Sequence, residues 1–248
     1  MSAGPTLERH STRVRSTDGW SLRVDVAHAP DRSNGSAALL VPASKHERDG
    51  YGPVLVAELV DRGFTVMTMD LRGRGDSCDP TAFHSFPPGQ RRAVRFDVAA
   101  ALAELVAQPG VAPGRIVMMG EQDTADAAAV VALGDSRVTG LVLISAHLSA
   151  RTRSMIDTSD LAVCGLVSKE DRRGLRDTVD AYRRCSDERS RLRVVGGVGA
   201  GTTMFSSWQY LRSGEPPLER WLAAWSKSVS HVPPSPATTS DSLQGDTP

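Results

Sequence analysis

Apolar residues in this chain gather in short continuous runs separated by polar stretches marked with glycine and proline. Between the runs lie longer segments whose apolar residues recur at helical spacing. Arg13-Val14-Arg15 and Leu22-Arg23-Val24-Asp25-Val26 alternate as strands do, and Asp18-Gly19 between them signals a hairpin. Ala37 to Val41, ended by Pro42, reads as a buried strand, and Phe64 to Asp70 as the next one. Residues 54–62 predict a helix stopped by Gly63. Residues 87–108 predict another, with Val94, Val98, Ala101, Leu102 and Leu105 on one face and Pro109-Gly110 as its end. Further strands are expected at 115–120, 138–145, 162–167 and 192–195. Helices are expected at 123–133, 171–185 and 217–229.

After an antiparallel start, strands alternate with helices. The fold class this predicts is α/β, a mostly parallel central sheet flanked by helices on both faces. Ligands of such sheets bind beyond the carboxyl ends of the strands. Residues 1–12 read as a loose leader, 13–230 as one domain, and 231–248, rich in Pro, Ser and Thr, as a disordered tail that His231 begins. No internal repeat is present.

Charge and composition exclude more than they assign. Lys+Arg and Asp+Glu both number 29, a formal net charge of +0, which favours neither nucleic acid nor an anionic membrane as partner. Cys78, Cys164 and Cys185 are widely spaced and form no CxxC or Cys/His ligand pattern, so no metal is expected. Sparse cysteines, no apolar leader and no membrane-length apolar run lead to the expectation of a cytoplasmic protein. Gly196-Gly197-Val198-Gly199 lacks the Lys-Ser/Thr of a phosphate loop, and no cofactor is expected.

Two segments carry a family resemblance. Asp61-Arg62-Gly63-Phe64-Thr65-Val66-Met67-Thr68-Met69-Asp70-Leu71-Arg72-Gly73-Arg74-Gly75-Asp76-Ser77 is similar to the "RGY-V-x-x-x-D-x-R-G-x-G-x-S" segment of the α/β-hydrolase superfamily. Ile116-Val117-Met118-Met119-Gly120-Glu121-Gln122-Asp123-Thr124 resembles the strand, turn and helix start of its G-x-S-x-G nucleophile elbow. The resemblance runs from about residue 13 to residue 229. It implies the α/β-hydrolase fold, here without a large lid domain, because the stretch between Ser145 and Leu161 is short.

The resemblance also locates the triad-equivalent positions. The nucleophile falls on Gln122, whose carboxamide has no hydroxyl or thiol to acylate. A slip of one residue would put Asp123 at the tip, but the small residue required two positions earlier would then be Glu121. Asp171, with Glu170 second, matches the acid after the next-to-last strand. The histidine position, in Val195-Gly196-Gly197-Val198-Gly199-Ala200-Gly201, holds Ala200, which cannot carry a proton. The oxyanion loop reads Pro42-Ala43-Ser44-Lys45-His46, whose backbone N–H groups remain available as donors. Pocket candidates are Ala43, Ser44, His46, Gln122, Asp123, His147 and Asp171.

The expectation is therefore a hydrolase-like protein without a working Ser-His-Asp triad, a pseudoenzyme binding a small organic molecule or a protein partner without hydrolysing it. One alternative is a non-hydrolytic lyase, cyclase or isomerase using the old pocket. The other is an esterase or thioesterase with a relocated triad, for which only His46 and His147 offer a base. The plainer readings are a solvated loop residue for His46, a strand-end residue for His147, and a loop-bonding structural carboxylate for Asp171.

Overall fold

The computed structural model describes residues 7–78 and 82–230. Eight strands form one sheet in the order β1-β2-β4-β3-β5-β6-β7-β8. They are β1 (Glu8–Arg15), β2 (Ser21–His28), β3 (Ala37–Val41), β4 (Thr65–Met69), β5 (Ile116–Glu121), β6 (Val138–Ile144), β7 (Ala162–Ser168) and β8 (Arg191–Val195). The first three in spatial order, β1, β2 and β4, pair antiparallel; the remaining pairs are parallel. This is the mostly parallel, helix-flanked sheet that the hydrolase resemblance implied.

The helices are α1 (Gly52–Val60), α2 (Pro88–Arg92), α3 (Val94–Ala107), α4 (Ala125–Leu133), α5 (Ala150–Asp157), α6 (Arg172–Arg184), α7 (Thr203–Leu211) and α8 (Leu218–Val229). The period-two alternation of the strands divides the core into two layers. Ala37, Leu39 and Val41 of β3 join Met118, Leu141, Val98, Leu102 and Ala128 on the α3/α4 side. Ala38 and Leu40 join Val117, Met119, Leu55, Leu59, Leu222 and Trp225 on the α1/α8 side.

Three boundaries differ from expectation. Residues 8–12, expected within the leader, form the first half of β1, which pairs with β2 from Glu8 opposite His28 onward. This strand carries no apolar signal because it lies at the sheet edge and is largely exposed. The helix expected over 87–108 is two helices. Ala93 N bonds Gln90 O at 3.1 Å and Phe96 N bonds Ala93 O at 2.8 Å, tight i→i+3 bonds that interrupt the ladder. Helices α5 and α7 had no periodic signal strong enough to predict them. Only α5 fills the stretch between β6 and β7, so no large lid stands there. The expected tail, with His231, lies outside the described residues. Among the described residues no helix is long and apolar enough to cross a membrane.

The 61–77 segment earns its glycines and charges structurally. Asp70 is fully buried and accepts bonds from Arg48 N at 2.8 Å and Asp76 N at 3.0 Å. A Cβ on Gly75, whose φ is +43°, would lie 2.5 Å from Asp70 Oδ2. Arg72 is 2% exposed and bridges Asp97 at 2.6 Å and Asp18 at 2.7 Å, tying the loop after β4 to α3 and to the β1–β2 hairpin. These groups hold the fold together and do not reach the carboxyl ends of β5, β6 and β7, where the candidate site lies.

Candidate active site

The elbow forms where the sequence resemblance placed it. Strand β5 ends at Glu121, a single 3-10 turn spans Gln122–Thr124, and α4 starts at Ala125. Gln122 has φ of 47°, a left-handed conformation costing a non-glycine residue about 1–2 kcal/mol. The turn is so tight that a Cβ on Gly120 would lie 2.8 Å from both Ala125 Cα and Ala128 Cβ. The tip is therefore Gln122; the alternative register with Asp123 at the tip is excluded. Thr124 Oγ1 donates to the carbonyls of Pro42 and Glu121, each at 2.8 Å, which pins the start of α4 to the oxyanion loop.

Glu121, which the sequence reading considered only as an obstacle to the slipped register, lies at the centre of the site. It is fully buried. Its Oε2 accepts from Ala43 N at 3.1 Å and lies 3.1 Å from His46 Nδ1. Its Oε1 accepts from Thr202 N at 2.7 Å and Thr202 Oγ1 at 3.0 Å. One carboxylate thus joins the oxyanion loop, the elbow and the loop after β8. Burial, with the charge of Glu121 beside it, pushes the Tyr51 phenol well above its ordinary range, and its hydroxyl donates to Val41 O at 3.0 Å. The His46 ring is 23% exposed. Gly50 closes against it, since a Cβ there would lie 2.8 Å from His46 Cβ. His46 is thus a positioned imidazole and not a solvated loop residue.

The acid and histidine positions come to the same end of the sheet. Asp171 caps α6, its Oδ1 accepting from Gly174 N at 2.9 Å, so its structural role is real. Its Oδ2 is buried without a partner. Ser145, at the end of β6, also has a left-handed backbone with φ of 49°, and its Oγ accepts from Gly201 N at 2.9 Å. Ala200 precedes that glycine. A Cβ on Gly201 would lie 3.1 Å from Gln122 Cδ, so the carboxamide of Gln122 rests against the loop where the resemblance expects a histidine.

His147 donates its backbone N–H to Gln122 O at 2.9 Å. Among the described residues its ring makes no hydrogen bond or ion pair. Burial, reinforced by Arg173, holds the imidazole below its ordinary range near 6.5 against the opposing pull of Asp171 and Asp123. Of the two histidines, only His46 is held by a carboxylate.

The oxyanion loop departs from expectation. Its amides do not all point into a pocket: Ala43 N is taken by Glu121, and Ser44 N donates to Asp123 Oδ1 at 3.1 Å. Ser44 Oγ also bonds Asp123. Buried Glu121 and exposed Asp123 take these donors, leaving the Gln122 carboxamide as the side-chain donor at the tip. Beside Ser44 and Asp123 opens a cleft of about 460 Å³, floored by Phe83, Val94 and Val130. Among the described residues no group of three or more His, Cys, Asp or Glu side chains is arranged to hold a metal ion.

No family model matches the sequence, and no curated protein matches it. Solved structures match its fold. The esterase domain of a Rhodothermus marinus protein has a TM-score of 0.68 at 12% identity, over 90% of this chain and 100% of that one. A dienelactone hydrolase from Anabaena variabilis has a TM-score of 0.68 at 14% identity, over 88% and 96%. A Pyrococcus furiosus esterase has a TM-score of 0.69 at 11% identity, over 90% and 92%. The chain has the α/β-hydrolase fold; at such identities the likeness shows that and no reaction. The expectation of a pseudoenzyme that binds without hydrolysis is not supported by these neighbours and gives way to the hydrolytic alternative. These neighbours are esterases and a lactone hydrolase, and the alternative of an esterase or thioesterase with a relocated triad fits them better.

Proposed function

We propose that this protein hydrolyses a carboxylic ester or thioester by direct attack of water, with His46, held by Glu121, as general base. The observation that carries the reading is the 3.1 Å contact between His46 Nδ1 and the buried carboxylate of Glu121, the residue before the elbow tip. A carboxylate accepting the Nδ1 proton fixes the tautomer in which Nε2 is the free base.

No serine, cysteine or aspartate occupies the tip, so no acyl-enzyme forms there. Water attacks the carbonyl carbon, and His46 Nε2 takes its proton. The carbonyl oxygen becomes an oxyanion that accepts an N–H from the Gln122 carboxamide. Collapse breaks the acyl–oxygen or acyl–sulfur bond, and His46 returns the proton to the departing alcohol or thiol. One ester and one water give one acid and one alcohol or thiol. General-base assistance of this kind contributes on the order of 10²–10⁴-fold.

The test is p-nitrophenyl ester hydrolysis by wild type, His46→Asn, Glu121→Gln and Gln122→Ala, with circular dichroism confirming that each is folded. Expected is turnover above buffer, reduced about a hundredfold or more by His46→Asn, with no pre-steady-state burst. No adduct with a fluorophosphonate is expected at the elbow. Wild-type turnover equal to buffer, or full activity in His46→Asn, overturns the reading.

A further inference from the structure

The cleft beside the elbow has a charge pattern that the hydrolysis reading leaves unused. Arg92, Arg95 and Arg151 line it, with Ser44, Asp123 and Asp126. The two acids are already engaged: Asp123 accepts from Ser44 N at 3.1 Å, and Asp126 accepts from Ser149 N at 2.7 Å. The three arginines are not. Among the described residues none of them makes a hydrogen bond or ion pair to another side chain. Arg95 only stacks over Phe96 at 4.9 Å. By contrast, Arg48 and Arg72 are each held by two or more carboxylates.

The cleft lining combines Phe83, Val94, Ala127 and Val130 with three arginines that pair with no acid among the described residues. Its lining includes Asp123 and Thr124 of the elbow and Ser44 of the oxyanion loop, so it opens alongside the loop that carries His46 and the turn that carries Gln122. Guanidinium groups match a carboxylate in geometry and charge better than any other side chain does. We infer that the substrate is an ester carrying a free carboxylate at the far end of a short apolar body, with Arg92, Arg95 and Arg151 binding that carboxylate. This rests on the ester-hydrolysis reading and names its substrate class. The arginines determine specificity; they touch neither the carbonyl nor the water.

The experiment compares kcat/KM for p-nitrophenyl butyrate and for the mono-p-nitrophenyl ester of glutaric acid, in wild type and in the triple variant Arg92→Gln, Arg95→Gln, Arg151→Gln. Single Arg→Gln variants are carried alongside in case the triple variant misfolds. Wild type should prefer the anionic ester on the order of tenfold, for pairs of surface strength acting together. The preference should fall stepwise through the single variants towards none in the triple variant, and should shrink as salt rises to roughly 0.5 M.

If both esters are hydrolysed with no preference, or with a preference the variants and salt leave intact, the inference is wrong while hydrolysis stands. If neither ester is turned over, calorimetric binding of 4-phenylbutyrate decides the cleft separately. Affinity lost on the order of tenfold in the triple variant sustains the anion site; no binding, or equal binding, overturns it.

Discussion

Replacing Glu121 by alanine tests the centre of the site. In the native protein its carboxylate serves two backbone N–H groups that have nowhere else to go, Ala43 N at 3.1 Å and Thr202 N at 2.7 Å. Ala43 is fully buried and Thr202 is 7% exposed, so water reaches them poorly. Each buried donor left without an acceptor costs about 1–3 kcal/mol, giving about 2–6 kcal/mol for the pair. Removing the carboxylate also removes the penalty of having buried it, so the expected loss lies at the lower end, about 2–3 kcal/mol. Glutamine keeps one carbonyl oxygen and turns the other acceptor into a donor. It restores one N–H and opposes the second, for about half the loss. Urea unfolding followed by circular dichroism at pH 7.5 measures both. A Glu121→Ala variant within about 0.5 kcal/mol of wild type would refute the reasoning, because the two amides would then have found partners elsewhere. The stake is large against a typical total of 5–15 kcal/mol.

Two further outcomes follow from the geometry. Gly120→Ala should destabilise by about 1–3 kcal/mol, the usual cost of overpacking, because its methyl would meet Ala125 and Ala128 at 2.8 Å; a neutral result in the same unfolding assay would mean that the elbow relaxes freely. His147 should titrate below its ordinary value near 6.5 by NMR, because burial and then Arg173 disfavour its charged form. With the folded pKa depressed, the unfolded chain takes up the proton first. Stability is complete above 6.5 and falls as pH drops through 6.5 towards the folded value, and His147→Gln should remove that slope. An imidazole titrating at or above 6.5 contradicts this.

The scaffold was legible in the sequence because its signals are local. Continuous apolar runs such as Ala37–Val41 and Leu141–Ile144 fall in strands, and the 61–77 segment carries its own turn glycines. β1 was only partly legible, since an exposed edge strand needs no apolar alternation. The helical break at Ala93 left no mark, because Pro88-Gly89-Gln90-Arg91-Arg92 carries no apolar periodicity in which a break could be read. In the site, the strand, turn and helix start around Gln122 followed from motif order. The Glu121–His46 pair did not, for its two members stand 75 residues apart. A signal was nevertheless present: a glutamate ending an otherwise apolar strand must find donors on entering the core, and a loop histidine is one of the few groups able to supply a proton there. The pseudoenzyme expectation rested on the side chains at positions 122 and 200, and the solved neighbours, esterases and a lactone hydrolase, fit the hydrolytic alternative better.

The unpartnered Asp171 Oδ2 bears on how far this chain stands from a serine hydrolase. Two features that are hard to evolve are already in place: a left-handed backbone at the elbow tip, with a glycine two residues before it, and a buried carboxylate with an open acceptor. Beyond the side chains at positions 122 and 200, the oxyanion loop also stands apart from that chemistry, because Glu121 and Asp123 take the Ala43 and Ser44 N–H groups that would otherwise face a carbonyl oxygen.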